Sequence, residues 1–208
     1  MKSLLKMTLN ALATLLVLPA CALYLVGRLF LGANKAFPGW SQAFSIIPGL
    51  TGVYLRRAFY RLVLRRCGND CCLSFGTVFS HPTAAVGARV FTGVYCVLGD
   101  VTLEDDVLLG SQVSIINGGE QHGTARLDVP IREQPGVLRP VTVGQDSWIG
   151  ERAVVLADVG KHCIIAAGAV VTKPVPDFAI AAGVPARVVK FRTDEQFAED
   201  FPIAADAK

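Results

Sequence analysis

Charge is scarce in this chain of 208 residues: Asp, Glu, Lys and Arg make up 18% of it, where an average soluble domain carries about a quarter. Aromatic residues are few, at 8%, and offer no series of base-stacking platforms. The net charge of +3 is too mild for the footprint of a nucleic-acid binder, so no nucleic-acid partner is expected. The six cysteines, Cys21, Cys67, Cys71, Cys72, Cys96 and Cys163, lack the paired C-x-x-C spacing of a zinc site. The low hydrophobicity and high net charge of a disordered chain are missing as well. Apolar residues are plentiful instead: 52% of the chain, with a mean hydropathy of +0.46. The length fits one domain with an appendage. The apolar excess must go into a membrane segment, a core built with few charges, or both.

From Met7 to Gly27 the chain has no charge and is mostly Leu, Ala and Val. As a helix this stretch covers roughly the 30 Å of bilayer hydrocarbon, with a kink expected at Pro19. Lys2 and Lys6 precede it; Arg28, Lys35, Arg56, Arg57, Arg61, Arg65 and Arg66 follow. The positive-inside rule then puts the C-terminal side in the cytoplasm. A second uncharged window, Ala36 to Leu55, is broken by Pro38, Gly39, Pro48, Gly49 and Gly52, which suits a re-entrant or interfacial segment. From Tyr54 to Arg66, Leu55, Phe59, Leu62 and Val63 gather on one side, while Arg57, Arg61 and Arg65 recur every four residues on another. Two readings stand: a basic helix lying on anionic lipid, or a solvated helix packed on the main domain. A rival reading of the N-terminus is a secretion signal, since Leu18-Pro19-Ala20-Cys21 faintly resembles a lipoprotein cleavage box. The proline inside that box and the apolar run continuing to Leu31 count against it. Residues 1–66 are therefore expected to anchor the chain at a bacterial inner membrane, with the remainder on the cytoplasmic side. The cysteines are read as reduced, buried thiols, with a lipid or metal role left open for the group at 67, 71 and 72.

From Val86 onward an aliphatic residue recurs every six positions. A small residue often follows it, and a short one stands four places later. Val86-Gly87 pairs with Val90, and Thr92-Gly93 with Cys96. After a one-residue slip come Val97, Leu103, Leu109 and Ile115, with partners Val101, Val107 and Val113. The series stops for Asn117 to Pro140, then returns at Val143-Gly144, Ile149-Gly150 and Val155, with Ser147 and Ala153. Two residues are lost before Val159-Gly160, Ile165 and Val171, with Cys163, Ala169 and Val175. This period is neither 3.6 nor 2. It fits a three-sided coil of short strands in which aliphatic residues fill a narrow core, small residues fit the corners, and coils stack at about 4.8 Å. About eleven hexads make roughly four coils, each burying its apolar surface only against its neighbours.

The array resembles the left-handed β-helix acyltransferases of the hexapeptide-repeat superfamily, in particular the sugar O-acetyltransferases of polysaccharide biosynthesis. The likeness spans roughly residues 78 to 192. It is strongest in Val143-Gly-Gln-Asp-Ser-Trp-Ile-Gly150, Gly168-Ala-Val-Val-Thr-Lys173 and Ala182-Gly-Val-Pro-Ala-Arg187. It implies an all-β solenoid, a left-handed parallel β-helix over residues 67–192, with an inserted loop. Membrane-associated helices precede the solenoid, and a short helix and tail at 193–208 follow it, capped by Thr193 with Asp194 and Glu195 in the first turn. It also implies a homotrimer with sites in clefts between solenoids.

The interruption at 117–140 holds a single histidine, His122, between Gly119 and Gly123. Long loops in compact domains are usually functional, and a neutral imidazole can take a proton from an alcohol at neutral pH. In the matching family position a histidine acts as general base, so the resemblance makes His122 catalytic. It likewise implies acetyl-CoA as donor. Ala167, Gly168, Thr172, Lys173 and Arg187 would line its groove, and Lys190 is a further candidate for its phosphates. Ala166 stands where glycine is common and Glu151 where a serine often contacts CoA. Asp100 matches, across the slip, an acidic residue that binds the acceptor. His81 and His162 read as structural or surface residues. The histidines of zinc enzymes on this solenoid lie a few residues apart, whereas here about forty separate each from the next, so no metal is expected. The functional expectation is O-acetylation of a sugar hydroxyl on a lipid-linked glycan, exopolysaccharide or lipopolysaccharide precursor. An N-acetyltransferase acting on an amino sugar and a non-catalytic scaffold in a polysaccharide assembly complex are the alternatives.

Overall fold

A computed structural model describes residues 2–193. Of the expected C-terminal helix and tail at 193–208, all but Thr193 lies outside the described residues. Three helices come first: α1 (Lys2–Leu31), α2 (Ala33–Ser45) and α3 (Gly49–Val63). A parallel β-solenoid of about six turns follows. The first coil is β1 (Arg66–Cys67), β2 (Cys72–Leu73) and β3 (Val78–Phe79), and the second β4 (Ala85–Val86), β5 (Phe91–Thr92) and β6 (Val97–Leu98). The third is β7 (Val101–Leu103), β8 (Leu108–Leu109) and β9 (Ser114–Ile115), and the fourth β10 (Val141–Val143), β11 (Trp148–Ile149) and β12 (Val154–Val155). In the fifth coil a bridge at Val159 replaces the first strand before β13 (Ile164–Ile165) and β14 (Val170–Val171). The sixth runs from a bridge at Val175 into β15 (Ala179–Gly183), which folds back on itself as the antiparallel β16 (Ala186–Phe191). The strands stack into three faces: β1-β4-β7-β10 (face one), β2-β5-β8-β11-β13-β15-β16 (face two) and β3-β6-β9-β12-β14 (face three).

The hexads fill the core as expected. Val86, Leu103 and Val143 form one inward ladder, and Leu109, Ile149 and Ile165 another, all fully buried. The expectation of buried thiols holds for Cys21, Cys71, Cys96 and Cys163 but not for Cys67 and Cys72, which are half-buried in the first coil; the thiols of Cys96 and Cys163 donate to the carbonyls of Gly110 (3.2 Å) and Pro176 (3.0 Å). Burial pushes both thiols up in pKa. Two expectations are corrected. The solenoid has about six turns, not four, because it begins at Arg66; the first coil turns Cys71, Leu73, Thr77 and Phe79 inward, a set that breaks the aliphatic pattern. The slip also lies one step later. Leu98 is buried whereas Val97 is 49% exposed, so the shortening occurs between Leu98 and Leu103, in the tight corner at Gly99-Asp100.

Two of the three edges are built from a repeated left-handed turn. Asp70, Arg89, Asp106, Asp146, His162 and Phe178 have positive φ between faces one and two; Gly76, Tyr95, Gln112, Arg152 and Gly168 do between faces two and three. A non-glycine residue there costs about 1–2 kcal/mol. Contacts between stacked corner side chains offset part of this: Arg89 pairs with Asp106, His162 Nδ1 lies 2.9 Å from Asp146, and the His162 ring stacks on Phe178. The small residue of each hexad sits earlier in the turn, where the next coil passes. A Cβ on Gly150 would lie 2.5 Å from Ala167 N. Gly150→Ala is therefore expected to destabilise the fold by about 1–3 kcal/mol through overpacking, read as a lower unfolding midpoint.

The helices cap the open first coil. α2 and α3 lie on its strands and α1 lies on α2 and α3. The interrupted apolar window is thus two helices joined by a turn at 46–48. Ala13, Val17, Cys21 and Tyr24 form the buried stripe of α1, spaced as one helical face. The rest of its surface exposes Leu5, Leu12, Leu16, Leu23 and Phe30 among others. Leu4–Leu31 is long and apolar enough to cross a membrane, with a mean hydropathy of 2.1. Yet Lys6, near its start, pairs with Asp70 of the first coil at 2.8 Å, and the end of α2 is tied to that coil by Gly76 N–H donating to Ser45 O at 2.8 Å. Both the start of α1 and the end of α2 thus meet the first coil, at the same end of the solenoid.

Of the two readings of the basic helix, packing on the domain is the one built. Arg57 is buried and donates to Cys71 O and Asn10 Oδ1; Arg61 and Arg65 stay exposed. Arg56 is fully buried and donates to the carbonyls of Phe44, Ser45, Ile47 and Leu73, joining the turn before α3 to the first coil. Tyr60 is 2.8 Å from Ser41 Oγ, which accepts the Phe79 N–H; burial pushes the Tyr60 phenol up to about 12.

Candidate active site

The third edge, between faces three and one, lacks the repeated left-handed turn; Gly118, within its inserted loop, is its one positive-φ residue. Along it stand Ser80-His81, Gly99-Asp100, the loop at 116–140, Leu156–Asp158 and Thr172–Pro174, one segment per coil. Freed from the turn's geometry, this edge can vary in length, which is why the insertion sits here.

The loop is held by its own bonds. Arg139 N–H donates to Asn117 O at 3.0 Å and Val137 N–H to Glu120 O at 2.7 Å, making a narrow stalk. Beyond it, buried Gln134 clasps the tip: its amide donates to Arg126 O and Val129 O and accepts from Arg126 N–H. His122 lies between stalk and tip. The strands cross closely there: a Cβ on Gly136 would be 2.6 Å from His122 N, and one on Gly123 would be 2.6 Å from Pro135 O. The His122 side chain is exposed and has no hydrogen-bond partner among the described residues.

Below the stalk a pocket of about 340 Å³ is lined by Gly119, Glu120, Arg139, Leu156, Asp158 and Thr172, among others. Glu120 and Arg139 face each other at 3.5 Å. Asp100 lies one coil before the loop on this edge, its N–H donating to Asn117 Oδ1 at 2.6 Å. The structure thus brings Asp100, the His122 loop, Thr172 and Lys173 onto one edge. Ala167 and Gly168 lie on another, across face three. There Gly168 has φ +70 with nothing within 4 Å of a Cβ, leaving room for an extended chain against the backbone. Arg187, exposed and opposite Ala182 in the β15–β16 hairpin, flanks that edge, because Ala166 N–H donates to the adjacent Ala181 O. Lys190 lies three residues further along β16, opposite Ile180. Sequence reasoning missed Asn117, which is buried and fastens the loop root to the previous coil, and Gln134; as single polar residues in a polar stretch they carry no periodic signal. Among the described residues no group of three or more His, Cys, Asp or Glu could hold a metal ion.

A stacked parallel solenoid with an ordered histidine loop on its one irregular edge defines a repeat-built transferase scaffold. The family described as "Bacterial transferase hexapeptide (six repeats)" matches residues 140–173. A serine acetyltransferase of Mycobacterium tuberculosis is 38% identical over 177 residues, covering 76% of this chain and 69% of that protein. The chain belongs to the hexapeptide-repeat acyltransferases. A maltose O-acetyltransferase from Clostridium difficile 630 shares the fold, with a TM-score of 0.69 at 20% identity over 79% of this chain and 88% of that one. So does a galactoside acetyltransferase in complex with coenzyme A, with a TM-score of 0.67 at 22% identity over 88% of each chain. Of several other curated acetyltransferases that it matches, the chain spans less than half the length.

Proposed function

We propose that this protein transfers an acetyl group from acetyl-CoA to a sugar hydroxyl on a lipid-linked glycan, exopolysaccharide or lipopolysaccharide precursor. The observation that carries this reading is that the His122 loop, Asp100 and the Thr172-lined pocket share one edge. The imidazole of His122 takes the hydroxyl proton as the oxygen attacks the thioester carbonyl. The new C–O bond forms, the C–S bond breaks, and the departing thiolate recovers the proton from the imidazolium. Asp100 orients the acceptor. Ala167 and Gly168 leave space for the pantetheine arm, while the exposed cations Lys173 and Arg187 meet the CoA phosphates, with Lys190 further along the same hairpin. Coenzyme A bound to the galactoside acetyltransferase of the same fold supports the donor.

A homotrimer fits this reading. Face two exposes an apolar ladder of Phe91, Leu108 and Trp148, which a neighbouring solenoid would cover. The membrane-suited α1 supports a place at the inner membrane, and the cations that follow it suit the anionic cytoplasmic face. The serine acetyltransferase relative supports a second reading, with a small hydroxy amino acid as acceptor.

The test is acetyl transfer from labelled acetyl-CoA to membrane-extracted lipid-linked glycan, with free serine in parallel. Label on the glycan supports the proposal, label on serine the second reading, and label on neither a scaffold. In the same assay Lys173→Ala should raise the KM for acetyl-CoA by the equivalent of about 1.5–3 kcal/mol, the worth of a charged hydrogen bond, with kcat near the parent's.

A further inference from the structure

Two hollows lie side by side on the helical cap. One, of about 380 Å³, runs between α1 and α3; Leu9, Leu12 and Leu16 form one wall, Leu50, Tyr54 and Leu55 the other. The second, of about 490 Å³, is polar and is lined by Lys6, Asn10, Arg57 and Arg61 from the helices and by Asn69 and Asp70 from the first coil. Arg57 of the polar hollow lies against the apolar one, its guanidinium 4.7 Å from the centroid of the Tyr54 ring.

Three cations face one carboxylate in the polar hollow. Lys6 already pairs with Asp70, and Arg57 is held by Cys71 O and Asn10. Arg61 is exposed and makes no hydrogen bond or ion pair among the described residues. On its own such charge is at home in water. A cationic mouth opening into a leucine-walled groove is not, because the groove leaves Leu12 at 52%, Leu16 at 63% and Leu50 at 78% exposure, and contiguous apolar surface of this kind marks a binding site. An amphiphile with an anionic head on a hydrocarbon chain satisfies both halves.

We infer that this double hollow binds one anionic phospholipid, its phosphate at Arg61 and its acyl chain along the α1–α3 groove. The return of α2 to the same end of the solenoid as Lys6 puts the hollow at the rim of the cap, level with the headgroups when the outer face of α1 sits in one leaflet. The hollow and the His122 edge have no residue in common, so the inference stands apart from the acyl-transfer reading.

The full chain in uncharged detergent, mixed with phosphatidylglycerol or phosphatidylcholine and weighed by native mass spectrometry, tests it. One phosphatidylglycerol should remain per chain, while phosphatidylcholine, whose choline cancels the phosphate charge, is lost. Arg61→Ser should lower phosphatidylglycerol affinity about fivefold, the effect of one cation at a lipid surface, without changing the unfolding midpoint. Arg28→Ser, which removes an exposed α1 cation outside the hollow, should match the parent. Equal retention of the two lipids, or equal loss in Arg28→Ser, would mean diffuse attraction to the micelle and overturn the site. Complete displacement by inorganic phosphate would reassign the hollow to a free anion and overturn the lipid.

Discussion

His122→Ala should lower the rate of acetyl transfer by about 10²–10⁴, the worth of a positioned base, with acetyl-CoA affinity close to the parent's. The split follows from placement. The imidazole stands on the inserted loop, where it is proposed to act on the acceptor proton, whereas the proposed CoA contacts are made by Lys173, Arg187 and the Ala167-Gly168 turn. The loop should survive the change, since its stalk and clasp use backbone groups and Gln134 rather than the His122 ring. Steady-state kinetics on parent and variant decide the matter; unimpaired turnover in His122→Ala would remove the base from the mechanism and favour the scaffold.

Arg56→Ala should cost about 3–5 kcal/mol of stability, the loss usual when one partner of a buried charged network is removed. The guanidinium serves four carbonyls from three segments, Phe44, Ser45, Ile47 and Leu73. Each acceptor left buried and unpaired costs about 1–3 kcal/mol, and relief of burying the cation offsets part of the sum. Burial already holds the guanidinium below its ordinary pKa, and Nη2 has no acceptor among the described residues. Arg56→Lys should recover only part of the loss, because an ammonium lacks the planar fork that reaches α2 and the first coil together. Against a typical total of about 5–15 kcal/mol, the alanine variant should lose its cap first. The measurement is unfolding in detergent combined with limited proteolysis; cleavage should begin between residues 44 and 75. An unchanged midpoint in Arg56→Ala would show that the carbonyls find other donors.

The solenoid was legible because its inward positions repeat one chemical demand coil after coil, so Val143, Ile149 and Val155 announce the period by themselves. Legibility failed where that demand changed. Phe79 in the first coil lies against Tyr60 of α3, with ring centroids 4.9 Å apart, and Thr77 bonds to Thr92; these residues answer to the cap and to each other, not to the repeat. The choice between Val97 and Leu98 was invisible because both are aliphatic and only the corner at Asp100 settles which faces in. The inward turn of Arg56 and Arg57 was equally hidden, since their acceptors are mainly backbone carbonyls, which every residue carries. The loop histidine stood out by type, whereas Asn117 and Gln134, which shape the loop around it, did not.

The stacked coils also act as a ruler. With the cap laid across the first coil, each later coil stands one strand spacing, about 4.8 Å, farther away. The His122 loop leaves the third coil and Thr172 belongs to the fifth, so the proposed reacting edge is held about 10–20 Å from the first coil. An acceptor tethered by a lipid tail would present only the unit that reaches this level. Adding one whole coil between cap and loop would shift the modified position outward by one spacing and leave the chemistry at the edge as it is.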